Sequence, residues 1–240
     1  MYAYLVYYIL GFVMIPGIIL GIYAQNKVKS TFDKFSTVQT SRGRSAKDVA
    51  RLMLNGGGCH NTAIKEIRGE LTDNYNPKTD VVSLSESVAN QNSISAIGVA
   101  AHEVGHVFQH KQKYAPVKIR AALVPVLNYA GILMWPLIIL GLIFEVAYYS
   151  TWATVLIYIG IGIYALNIVF CLVTLPVELN ASKRAYDMLV STNEMDVEEA
   201  KSAKKVLNAA AWTYVAALIT SVLSLIRVLL FVFAMRGDRR

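Results

Sequence analysis

Four stretches without a single charged side chain constrain this chain more than any other feature. They run from Met1 to Asn26, Ala121 to Phe144, Val146 to Val177 and Val206 to Ile226. A helix of about 20 apolar residues crosses the hydrocarbon core of a bilayer, and each stretch reaches that length. Transmembrane helices are expected near 2–24, 121–144, 151–175 and 208–234. The alternative, four helices buried in a large soluble protein, fails on supply. Of 240 residues, 55% are hydrophobic and only 16% are charged, which leaves too little polar chain to cover them. The first stretch differs from a cleaved signal peptide, because no basic residue precedes it and its apolar run is too long. Trp152 and Trp212 lie near expected span ends, where amphipathic rings favour the interface.

The charged residues then set an orientation. Lysines and arginines crowd 27–47, 111–120 and 183–205, whereas the connection between the second and third spans has none. The positive-inside rule puts segments 25–120 and 176–207 in the cytoplasm and the N-terminus outside. The net charge of +7 is accounted for by these flanks, which would attract anionic lipid, and it gives no reason to expect nucleic acid. Cys59 lies in the polar region and Cys171 in an apolar one, so no disulfide framework is expected.

The expected organisation is a first transmembrane helix at 1–26, a cytoplasmic segment at 27–120, a transmembrane hairpin at 121–175, a second cytoplasmic segment at 176–207, and a last span with a basic tail at 208–240. Within the first polar segment, Lys27 to Phe35 should extend the first helix into water. Ser45 to Asp48 (SAKD) has the pattern of a helix N-cap, and the glycines at 56–58 suit the end of that helix. Short strands are expected at 63–67 and 81–84, with turn chemistry from Thr72 to Asp80 between them. Ser93 or Ser95 should cap a further helix reaching about Gln112.

That last helix carries AAHEVGHVFQH, with three of the chain's four histidines. Polar residues from His102 onward make it unsuitable as a fifth span, and it is expected to lie close to the membrane. Residues four apart on a helix project side by side, so His102 and His106 can grip one tetrahedral zinc. Glu103 sits about 100° round from His102, at the border of that face, where it can act on water without being a ligand. Zinc brings the pKa of bound water toward ~7, so a carboxylate can take its proton at neutral pH. Gly105 would leave room for substrate beside the metal. His110 lies about 12 Å along the axis from His102, too far for a third ligand, and His60 is unconstrained by any pattern. An acid on another helix is the better candidate. Glu178, in LPVELNASKRA, follows two membrane crossings and so returns to the same side as the histidines. Glu145 follows only one. Asp187, Glu194, Asp196, Glu198 and Glu199 lie on the correct side and have the pattern of a solvated surface.

The segments GELTDNYNP, VSLS, AAHEVGHVFQH and LPVELNASKRA together resemble the YugP-like neutral zinc metallopeptidases of bacterial membranes, over most of the chain. The order also looks like that of the wider HtpX-type membrane gluzincins. The resemblance implies one Zn2+ held by His102, His106 and Glu178, with Glu103 as general base and acid. Asn74 and Asn76 stand where that family has a histidine and an aspartate, and Ser182 where the HtpX-like pattern has an acid.

The fold expected is therefore a mainly α membrane protein: four transmembrane helices with a small α+β zincin-like cytoplasmic domain. The function expected is a zinc metalloendopeptidase of the cell membrane acting on peptide or membrane-protein substrates at the cytoplasmic face. Arg184, Tyr186 and Tyr75 are candidates to stabilise the oxyanion, and the strand at 81–84 is a candidate to pair with an extended substrate. Two other classes compete: a zinc-regulated transporter or channel, for which Arg227 inside the fourth apolar run is the best feature, and a catalytically silent scaffold. Neither gives a reason for Glu103 beside the first histidine.

Overall fold

A computed structural model of the protein describes residues 11–148 and 151–237. The expected first span, near 2–24, and the N-terminus therefore lie partly outside the described residues. Among the described residues the helices are α1 Ile15–Ser36, α2 Ala46–Gly56, α3 Ile94–Lys111, α4 Ala115–Tyr148, α5 Thr151–Ser191 and α6 Val197–Gly237. Three strands stand between α2 and α3: β1 Ala63–Ile67, β2 Asn74–Asn76 and β3 Val81–Ser85. Among the described residues, three helices are long and apolar enough to cross a membrane, over Ala115–Glu145, Trp152–Ser191 and Val197–Ala234.

The chain divides into two units. One gathers the apolar stretches: residues up to Tyr23, Ile119–Thr174 and the chain from Tyr214 onward. Here small residues let helices approach. A Cβ on Gly160 would meet the Ile138 side chain at 2.4 Å, and one on Gly141 would meet Ile157 at 2.7 Å. Without a hydrophobic gradient between lipid and helix, such close packing is a main source of association. Asn167 adds a hydrogen bond from α5 to Ser221 of α6, at 3.3 Å.

The other unit comprises Ala24–Lys118 and Leu175–Thr213. Its centre is α3, thirteen of whose eighteen residues are buried. Such a helix is walled on most sides. Met53 and Leu54 of α2, Val82 and Leu84 of β3, Leu189 of α5 and Leu207 of α6 all belong to the same core. Ser93 caps α3, its hydroxyl accepting from the Ala96 amide. Ser45 caps α2 in the same way, and α2 ends in a left-handed Gly58 (φ 74°), with Cys59 N–H closing on the Leu54 carbonyl.

The sheet is mixed, in the order β1–β3–β2: β1 runs parallel to β3, with Ala63 opposite Val81, and β2 runs antiparallel to it, with Tyr75 opposite Val82. Two sequence expectations change here. The segment Thr72 to Asp80 is not turn alone, since Asn74–Asn76 within it forms β2. And β3 is the central strand, paired with β1 along Val81–Ser85 and with β2 along Val81–Ser83. Pro176 lies inside helix α5.

Candidate metal centre

Among the described residues, one group of potential ligands meets the geometry of a metal site: His102, His106 and Glu178, whose donor atoms lie within 4.8 Å of one another. The Oε2 of Glu178 is 3.2 Å from His102 Nε2 and 3.5 Å from His106 Nε2. Tetrahedral bonds of about 2.0–2.1 Å would put donor atoms about 3.3 Å apart, so the spacing suits zinc. The two imidazoles meet edge to face with centroids 4.7 Å apart. Glu178 is buried and each histidine is largely so.

What brings α5 to α3 is a glycine. A Cβ on Gly105 would lie 2.6 Å from the Ala181 carbonyl oxygen, so here helix α3 meets the backbone of α5 directly. Gly105 thus serves helix contact, a role the sequence alone did not suggest. The segment of α5 that docks there supplies several groups at once. Glu178 faces the histidines. Ser182 Oγ is 3.1 Å from His102 Nδ1. The Val177 carbonyl and Asn180 Oδ1 both accept from Gln109, whose own Oε1 is 2.9 Å from His106 Nδ1. Gln109 was not singled out by sequence reasoning. Its spacing of three from His106 was the available signal.

The electrostatics follow from burial and crowding. Burial alone would raise the Glu178 carboxyl, but its hydrogen bonds to His102 and His106, and their charge, hold it well below the usual carboxylate range. Burial pushes Glu103 up, opposed by His106 and His102 and assisted by Glu178 and Asp73. For His106, burial lowers the pKa, yet the Glu178 hydrogen bond and the Glu103 charge outweigh it, and the net shift is upward.

The other candidates are placed elsewhere or already engaged. His110 packs against the Tyr75 ring at 5.6 Å and is not in the metal group. His60 is exposed beyond α2. Tyr75 donates to Asp80 at 2.9 Å. Arg184 donates to Asn180 and Gln112, and its guanidinium lies 6.0 Å from the Tyr114 ring. Lys204 lies over the Tyr186 ring. Glu194 and Glu199 are not merely solvated: Glu194 is buried against Arg44 at 2.7 Å, and Glu199 accepts from the Ser41 amide at 2.6 Å.

With paired histidines, a converging glutamate and a buried acid beside the first histidine, comparison with known proteins becomes decisive. Residues 10–233 match the profile of the family described as "Putative neutral zinc metallopeptidase". The chain belongs to that family. It is also 42% identical, over 216 residues covering 90% of this chain and 93% of the relative, to the "Putative membrane protease YugP" of Bacillus subtilis (strain 168). No solved structure matches the chain. The family's description names zinc and a peptidase activity, and His102, His106 and Glu178 form a group that could hold a metal ion.

Proposed function

We propose that this protein is a membrane-embedded zinc endopeptidase of gluzincin type, with His102, His106 and Glu178 as ligands and Glu103 as its proton-transfer group. The observation that carries this is the meeting of Glu178 with both imidazoles across 76 residues of chain and two apolar stretches. A zinc ion held by His102, His106 and Glu178 would supply Lewis acidity toward water and a substrate carbonyl. The protein groups do the rest. Glu103, buried and raised in pKa, is suited to hold a proton taken from water and pass it to the departing amine. Gln109 and Ser182 orient the imidazoles. Burial of Glu178 keeps its carboxylate committed to the histidines.

The basic flanks support a cytoplasmic site and an external N-terminus, with a peptide or membrane-protein substrate approaching from the water side and anionic lipid near the basic residues. Substrate pairing is better assigned to an outer strand of the sheet than to central β3.

The test is a pair of substitutions. Glu103→Gln keeps shape and should retain zinc while abolishing cleavage of a peptide substrate. Glu178→Ala should lose zinc. Cleavage at the wild-type rate by the glutamine variant would refute the mechanism, and full zinc content in the alanine variant would refute the ligand set.

A further inference from the structure

The hydrogen-bond polarity around His106 is fixed by groups that cannot exchange roles. The Val177 carbonyl, 2.7 Å from the Gln109 amide, can only accept. Gln109 must therefore turn its Nε2 toward α5 and its Oε1 toward His106 Nδ1, at 2.9 Å. A second fixed point agrees. Arg184 Nε can only donate, and it meets Asn180 Oδ1 at 2.7 Å. The same oxygen of Asn180 is 3.0 Å from Gln109 Nε2, again an acceptor facing a donor. Opposite the Gln109 oxygen, His106 Nδ1 must carry a proton. His106 Nε2, the ring nitrogen that Gln109 does not engage, faces Glu178 Oε2 at 3.5 Å.

The contrast with His102 is instructive. Its Nδ1 partner is the Ser182 hydroxyl, which can donate or accept and so imposes no choice. Gln109 is fully buried, and both ends of its amide are used, as a buried amide requires. Its two acceptors on α5, at 177 and 180, bracket the third ligand at 178. One side chain therefore fixes both the ring of one ligand and the segment that carries another.

We propose that Gln109 is the positioning residue of the metal centre, committing the His106 proton to Nδ1 and registering the Glu178 segment against the imidazoles. This rests on the metal-centre reading above, and the test separates the two. Full-length wild-type and Gln109→Met proteins would be compared for Zn2+ affinity by chelator competition and for thermal unfolding without metal. The ring N–H signals would be read from [15N]histidine-labelled protein, which has only four histidines. The variant should bind Zn2+ about 10–100-fold more weakly and lose the exchange-protected Nδ1–H signal of His106. A Gln109 that merely supports the fold would lower the melting temperature while leaving Zn2+ affinity and that proton signal in place, and this outcome overturns the proposal. So does a wild-type His106 whose Nδ1 carries no proton, a result independent of whether the variant folds. A wild-type chain that binds no Zn2+ would sink the metal-centre reading itself, and the positioning role with it.

Discussion

Gly105→Ala adds one methyl group at the point where α3 meets α5. The new Cβ would sit 2.6 Å from the Ala181 carbonyl oxygen and 3.2–3.3 Å from two further backbone atoms of that residue. Because these are backbone atoms, no rotamer change relieves the clash. Reaching ordinary contact needs the helices to separate by about 0.8 Å or more. Overpacking of this kind costs about 1–3 kcal/mol, a fall of several degrees in melting temperature. The larger effect falls on the metal. Glu178 is three residues from Ala181 on the same helix, and metal–ligand distances hold to about ±0.2 Å. A displacement several times that tolerance should weaken zinc binding by about tenfold or more. The assay is chelator competition on full-length protein, with Gly56→Ala as a control, since nothing lies within 4 Å of a Cβ there. If Gly105 instead made room for substrate, the variant would keep its zinc and melting temperature and lose only KM or kcat. That result, or an unchanged enzyme, would refute the helix-contact argument.

Three further outcomes are expected. Removing zinc with a chelator should lower the melting temperature, because a ligand at 100 times its Kd stabilises the folded state by about 2.7 kcal/mol; equal melting with and without metal would contradict a folded-state site. Arg44→Ala leaves the buried Glu194 carboxylate without its 2.7 Å partner and should cost about 1–3 kcal/mol in urea unfolding, while Lys183→Ala, which breaks a well-exposed pair with Asp187, should cost under about 0.5 kcal/mol. For Asp80, burial raises the pKa, but hydrogen bonds from Lys111, Tyr75 and Thr62 outweigh it and bring it below its ordinary 3.8. A depressed carboxylate stabilises the fold above the unfolded value and loses that contribution as pH falls through the folded one. The stability deficit of Asp80→Asn should therefore be full near neutral pH and shrink as pH falls below 3.8; a deficit constant across that window would contradict the assignment.

The parts of this molecule that were legible in its sequence are those governed by local rules. Uncharged length located three of the four expected apolar helices among the described residues, Ser45 and Ser93 announced their helices by capping chemistry, and the spacing of His102 and His106 put both rings on one face. Glu178 was reachable by counting crossings, because a chain that crosses twice returns to the same side. What stayed hidden depends on a partner distant in sequence. Asn74–Asn76 has the composition of a turn and becomes a strand only because β3 offers it an edge and Tyr75 a place to pack. Gly105 looked like space, and its reason is the carbonyl of Ala181, 76 residues away. Gln109 looked like one more polar residue near a helix end, and nothing local reveals that Val177 waits across from it. Glu194 sat in an acidic run with the pattern of solvated surface, yet Arg44 draws it inward.

The separation of His102 from Glu178 by 76 residues also orders events in time. At about 5–20 residues per second, a ribosome needs roughly 4–15 s to make the stretch between them. Throughout that interval the nascent chain carries two of the three candidate ligands, and the carbonyl, carboxylate and hydroxyl of residues 177, 178 and 182 then arrive almost together. On the proposed ligand set, the group is completed only after the apolar stretches at 121–144 and 146–177 have been made, and before the one at 206–226.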